Sequence, residues 1–181
     1  MSIVLPERRG RWTVDDLRPL PEDDLNRWEI DDGVLVITPR GFSSSHQCAM
    51  LAATNLLWEA IDTTRTDLAA VPAVEVITGR RNDWLKVPDV VVVTRKALES
   101  EPQAYEVRDV VLAVEINDTR QSRVRDFGEK VDAYAEEAIQ DYWVLELTPE
   151  PKAHGVRVDG RGVRADRRVV ESDPPHSAVP G

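Results

Sequence analysis

The chain has 181 residues, 41% hydrophobic and 31% charged, which suits one globular core and excludes a fibrous or low-complexity polymer. Its single cysteine, Cys48, excludes an internal disulfide and fits a reducing compartment, and no apolar stretch reaches the ~18 residues of a membrane span. The net charge of −10 excludes a broad basic footprint for nucleic acid, so any such surface must be local.

The start of the chain, where Ile3 to Leu5 are cut off by Pro6, is not a signal peptide, and the expected location is cytoplasmic. Thr13 precedes Val14-Asp15-Asp16-Leu17 as the cap of a short helix. Two β-prone runs, Arg27 to Asp31 and Val34 to Ile37, flank Asp32-Gly33. That dipeptide suits a type I′ hairpin turn, in which both central residues take positive φ. Ser43 to Ser45 offer a cap for a helix over 46–61, with Met50, Ala53, Leu57 and Ile61 on one face. Strands are predicted over 73–78, 87–94 and 109–117. The last two are nearly continuous apolar runs, as in central strands covered on both faces.

A helix over 122–138 carries a stripe of Val124, Phe127, Val131, Tyr134, Ala135 and Ala138. A strand over 142–147 and a terminal hairpin around Asp159-Gly160 follow, and the Pro-rich residues 172–181 read as a disordered tail. The expectation is one domain over 1–171 of α/β class, a mixed central sheet flanked by helices with an N-terminal β-hairpin.

The chemistry is concentrated in acids at the ends of buried strands. Alternation places Val111, Ala113, Glu115 and Asn117 on one face of their strand. Glu115 thus leaves an apolar surface, where an ionised carboxylate is costly unless paired or bound to a metal. Asp89 stands in the same position at the head of Val90 to Val93. If the two strands are neighbours, their oxygens form a hard donor set of the kind Mg²⁺ takes. The plainer reading is that strand-end acids cap loops or pair with arginine. Lys130 flanks the helical stripe beside Tyr134; it reads either as an ammonium serving the two acids or as a surface lysine along the stripe edge. Basic side chains gather at Arg120, Arg123, Arg125 and Lys130, and again from Arg157 to Arg168. His46, His154 and His176 lack zincin spacing, and neither a phosphate-binding glycine loop nor Gly-x-Ser-x-Gly is present. Of the five tryptophans, Trp84 lies in a polar loop before Pro88-Asp89 and is singled out for substrate contact.

Taken in order, six segments resemble the Uma2 family of restriction-endonuclease-like proteins with the PD-(D/E)xK fold. They are Arg27-Trp28-Glu29-Ile30-Asp31-Asp32-Gly33, Ser45-His46-Gln47, Val87-Pro88-Asp89-Val90-Val91-Val92-Val93, Ala113-Val114-Glu115-Ile116, Arg125-Asp126-Phe127-Gly128-Glu129-Lys130 with Tyr134, and Asp141-Tyr142-Trp143-Val144-Leu145. The resemblance implies a metal-dependent DNA endonuclease using Mg²⁺ or Mn²⁺. Asp89 and Glu115 would be the metal-binding acids, and Lys130 the motif lysine displaced to the helix, since Asn117 occupies its usual place. Glu29 would complete the catalytic set, and His46 would be structural or orient substrate rather than bind the metal. Arg120, Arg123 and Arg125 are candidates for phosphate contact, and a homodimer would suit cutting both strands. The chain departs from the family at Asn117-Asp118-Thr119-Arg120, where a Ser-Pro-Ser/Thr segment is usual. Two other readings stand beside the nuclease: a non-catalytic relative used in binding or assembly, and a sugar hydrolase with Glu115 and Asp89 as acid and base.

Overall fold

The computed structural model describes residues 10–21, 23–39, 43–118, 128–147, 151–159 and 162–171. The predicted tail lies outside them. The elements are α1 (Val14–Leu17), β1 (Asn26–Asp31), β2 (Val34–Pro39), α2 (Ser44–Thr64), β3 (Leu68–Pro72), β4 (Val76–Ile77), β5 (Leu85–Lys86), β6 (Val90–Thr94), α3 (Arg95–Glu99) and β7 (Tyr105–Glu106). A 3₁₀ turn then leads into β8 (Val110–Asn117), α4 (Glu129–Glu136), β9 (Asp141–Glu146), β10 (Lys152–Asp159) and β11 (Gly162–Glu171).

The strands form two mixed sheets. A six-stranded sheet has the order β11-β10-β9-β8-β6-β3, antiparallel except for the parallel β8–β9 pair. A five-stranded sheet has the order β2-β1-β5-β4-β7. The expected hairpin is β1–β2, and Asp32 and Gly33 at its tip have φ of 47° and 76°, the signs a type I′ turn needs.

Two expected strands are shortened where the chain passes between sheets. The expected strand over 73–78 is reduced to β4 of the small sheet, Val76–Ile77, and β3, a strand the sequence reading did not include, ends at Pro72 in the large sheet. Ala73 turns the chain with φ 51° and donates its amide to Asp89 O at 2.9 Å. The expected strand over 87–94 begins later, as β6 at Val90 in the large sheet; β5 of the small sheet lies before it, and Val87-Pro88-Asp89 join the two. Proline supplies no ladder donor, so the break falls where pairing is already interrupted. Of the predicted helix over 122–138, α4 lies in the described part, and residues 119–127 fall outside it.

The large sheet is covered on both faces. On one face Ala53 and Ile61 of α2, with Met50 and Leu57, pack on Val90, Val92, Leu112 and Val114. On the other, Val131 and Tyr134 of α4 pack with Trp84, Val91, Ala113, Tyr142 and Val144. Glu115 shares the face of Ala113, so its carboxylate rises under α4.

Candidate active site

The register explains why two acids 26 positions apart meet. Val90 pairs with Val114 in the antiparallel β6–β8 ladder, so Asp89, just before β6, lies beside the end of β8, where its Oδ2 accepts the amide of Ile116, the neighbour of Glu115. Both carboxylates are 2% exposed. The small sheet brings a third, Glu29 of β1, which is 3% exposed and accepts the Val87 amide at 3.0 Å.

These acids are met by cations. Lys130, in the first turn of α4, is itself 2% exposed. Its Nζ donates to Glu115 Oε1 at 2.6 Å and lies 3.9 Å from Glu29 Oε1. Tyr134, one turn later on the same face, donates its hydroxyl to the same Glu115 oxygen at 2.9 Å. Arg27 of β1 donates to Asp89 Oδ1 at 3.1 Å and to the Val87 carbonyl at 2.8 Å. His46 sits in the first turn of α2, whose cap Ser43 accepts the His46 amide at 3.1 Å. The His46 ring places Nε2 3.1 Å from Asp89 Oδ2, which also accepts the Ile116 amide at 2.8 Å.

The electrostatics follow from those contacts. Burial pushes the Asp89 carboxyl up, but the His46 hydrogen bond, the Arg27 charge and the Ile116 amide together hold it below the usual range. Burial acts the same way on Glu29 and is outweighed by Lys130, Lys86, the Val87 amide and Arg27. For His46, burial favours the neutral ring, while Asp89 and Asp118 outweigh it and raise its pKa. Burial, then Glu115 and Glu29, push the Tyr134 hydroxyl well above its ordinary value, so it stays a donor.

The donor set suits a hard cation that keeps most of its water. Among the described residues no group of three or more His, Cys, Asp or Glu side chains forms a metal cage. Two carboxylates completed by water and substrate are nevertheless what Mg²⁺ uses. Asp89 spends three of its about four acceptor positions on Arg27, His46 and the Ile116 amide.

The structure therefore brings together Asp89, Glu115, Lys130, Glu29 and His46. Lys130 is not the surface lysine of the plainer reading. Arg120, Arg123 and Arg125 lie outside the described residues. Trp84 is corrected: it is fully buried, edge-on to Tyr134 at 6.0 Å, and cannot meet substrate. Polar neighbours in the chain hid an indole that fills the core under α4. Arg27 and Tyr134 received no role from the sequence. The available signals were Arg27 two residues before Glu29 on one strand face, and Tyr134 four residues after Lys130 on one helix face. Asn117 is buried at 3% exposure and stands opposite Glu146 across the β8–β9 pair.

Comparison with known proteins agrees with this architecture. No curated protein matches the chain. A crystal structure from Anabaena variabilis ATCC 29413, described as a putative nuclease belonging to DUF820, is similar in fold. It has a TM-score of 0.65 and 16% identity, over 93% of this chain and 88% of that one. None of the described helices is long and apolar enough to cross a membrane. The Uma2 family, whose description is "Putative restriction endonuclease", matches residues 14–178, nearly the whole chain, and the chain belongs to that family.

Proposed function

We propose that this protein is a metal-dependent endonuclease that hydrolyses DNA phosphodiester bonds, acting in the cytoplasm. The observation that carries the reading is Lys130: an ammonium 2% exposed, 2.6 Å from Glu115, whose strand is paired with the one that Asp89 precedes. A buried lysine is retained with its charge only where carboxylates compensate it. An amine held beside two acids matches the needs of phosphoryl chemistry.

Asp89 and Glu115 would hold Mg²⁺ or Mn²⁺, which supplies Lewis-acid polarisation of the phosphodiester and acidifies water. Lys130 orients the attacking water and steadies charge developing on the phosphoryl oxygens. Glu29 shares the Lys130 ammonium with Glu115 and keeps it charged. Tyr134 fixes one Glu115 oxygen and so sets the orientation of that carboxylate. Arg27 and His46 clamp Asp89 so that its carboxylate does not swing away, and His46 also orients substrate. Arg120, Arg123 and Arg125 would meet phosphates, and a homodimer would present two sites to a duplex.

Plasmid incubated with the protein and Mn²⁺ should be nicked or cut, and Glu115→Gln should abolish cleavage while the circular dichroism spectrum stays unchanged. Cleavage that survives in Glu115→Gln would discard the assignment. A second reading, a non-catalytic relative used in binding, is favoured by the net charge of −10 and by the ion pairs closing around Asp89. Calorimetric titration with Mn²⁺ separates the two, because a binding-only relative gives no saturable heat.

A further inference from the structure

Lys130, Tyr134 and Glu137 follow the spacing i, i+4, i+7 and so occupy one face of α4. The first two meet Glu115. The third is the C-cap residue of the helix, and its carboxylate is 6% exposed. A buried acid at the negative end of a helix dipole is doubly disfavoured, so something must hold it. Arg81 Nε lies 2.9 Å from Glu137 Oε1, and Arg80 Nη2 lies 3.6 Å from Oε2.

The loop that carries Arg81, between β4 and β5, is firmly attached elsewhere. Val14 donates its amide to Asn82 O at 2.7 Å, and Gly33 donates to Asp83 O at 2.8 Å. Arg81 Nη1 pairs with Asp32 at the hairpin tip, and Arg11 Nη2 lies 3.0 Å from Asp83 Oδ2. Trp84, at the other end of the loop, supports the Tyr134 ring. Arg81 thus spans the two elements that flank the site from outside: the turn that follows Glu29 and the end of the helix that bears Lys130. Eight residues make a helix too short to fix its own position.

We infer that Arg81 is a positioning residue: by joining Asp32 to Glu137 it sets the height and rotation of α4, and hence the placement of Lys130 against Glu115 and Glu29. Its catalytic consequence rests on the nuclease reading; its structural consequence does not. A planar guanidinium can serve Asp32 and Glu137 together, which a lysine ammonium cannot do with the same geometry.

The test is pulse acetylation of the intact protein followed by mass spectrometry, for Arg81→Ala and, from the helix side, Glu137→Gln. Lys86 is the internal control: it is 3% exposed, pairs with Asp31 at 3.1 Å, and belongs to the small sheet rather than to α4. The expected result, well below the melting temperature of each variant, is acetylation of Lys130 accelerated about tenfold by local release of α4, with Lys86 unchanged. Arg81→Lys should restore only part of the protection. Parallel acceleration at Lys130 and Lys86 would show a general loss of stability and overturn the proposal, and so would no acceleration at either. In the plasmid assay kcat should fall about tenfold or more with KM unchanged, because a misplaced group costs rate rather than binding. Failure of the unaltered protein to cut DNA would remove the nuclease reading and leave the acetylation result standing.

Discussion

Replacing Lys130 by methionine keeps the aliphatic stem in place and removes a buried cation that Glu115 and Glu29 share. Glu115 loses a 2.6 Å partner and Glu29 a 3.9 Å one, both at or below 3% exposure. Breaking a buried ion pair from one side costs about 3–5 kcal/mol, chiefly because a charge is left buried without compensation. Here Tyr134 still donates to Glu115, and Arg27 and Lys86 still face Glu29, which places the expected loss near the lower end, about 3 kcal/mol. With a urea slope of about 2 kcal/mol/M, the midpoint in chelator should fall by about 1.5 M. The double variant Lys130→Met with Glu115→Gln removes both sides of the closest pair. It should recover more than half of the loss, since the amide still accepts from Tyr134, giving a coupling of about 2 kcal/mol. A single-variant loss under about 1 kcal/mol, or strict additivity in the cycle, would refute the view that Lys130 is a buried, obligate counter-charge.

Two further predictions concern neighbours of that pair. Trp84→Ala should cost about 3–5 kcal/mol of stability by opening a cavity beneath Tyr134, and Trp84→Phe markedly less; equal effects in urea unfolding would return Trp84 to the list of exposed contacts. Glu29 has a folded pKa held below its ordinary value of about 4.3, so the unfolded chain takes up its proton first as pH falls. Its stabilisation is complete above that value and is lost as pH drops through the folded pKa. Glu29→Gln should therefore flatten the acid limb of stability below about pH 4.3, and an unchanged slope in urea titrations between pH 3 and 6 would contradict the assignment.

Much of this protein could be read from its residues because the relevant forces are local or periodic. Asp32-Gly33 determined its turn, since few other pairs accept two positive φ values in succession. Val90 to Val93 and Val110 to Val114 determined two central strands, because uninterrupted apolar runs must be covered on both faces. Alternation along the strand then places Glu115 under a helix. Where the chain changes sheets was not legible. At Pro72-Ala73 and at Pro88-Asp89 the strand propensity continues on either side, and only the competition between two sheets for the same segment decides the break. Trp84 followed the same rule, its burial being set by Tyr134 and the underside of α4 rather than by its polar neighbours.

The sequence by itself determined which acids sit at strand ends and which amine rides the helix stripe. Tertiary structure alone decided that Asp89 lies against the end of the Glu115 strand, that Lys130 is dry, and that Arg27 and Arg81 approach from outside. Register and helix placement are sums over distant contacts, and no window of neighbouring residues contains them.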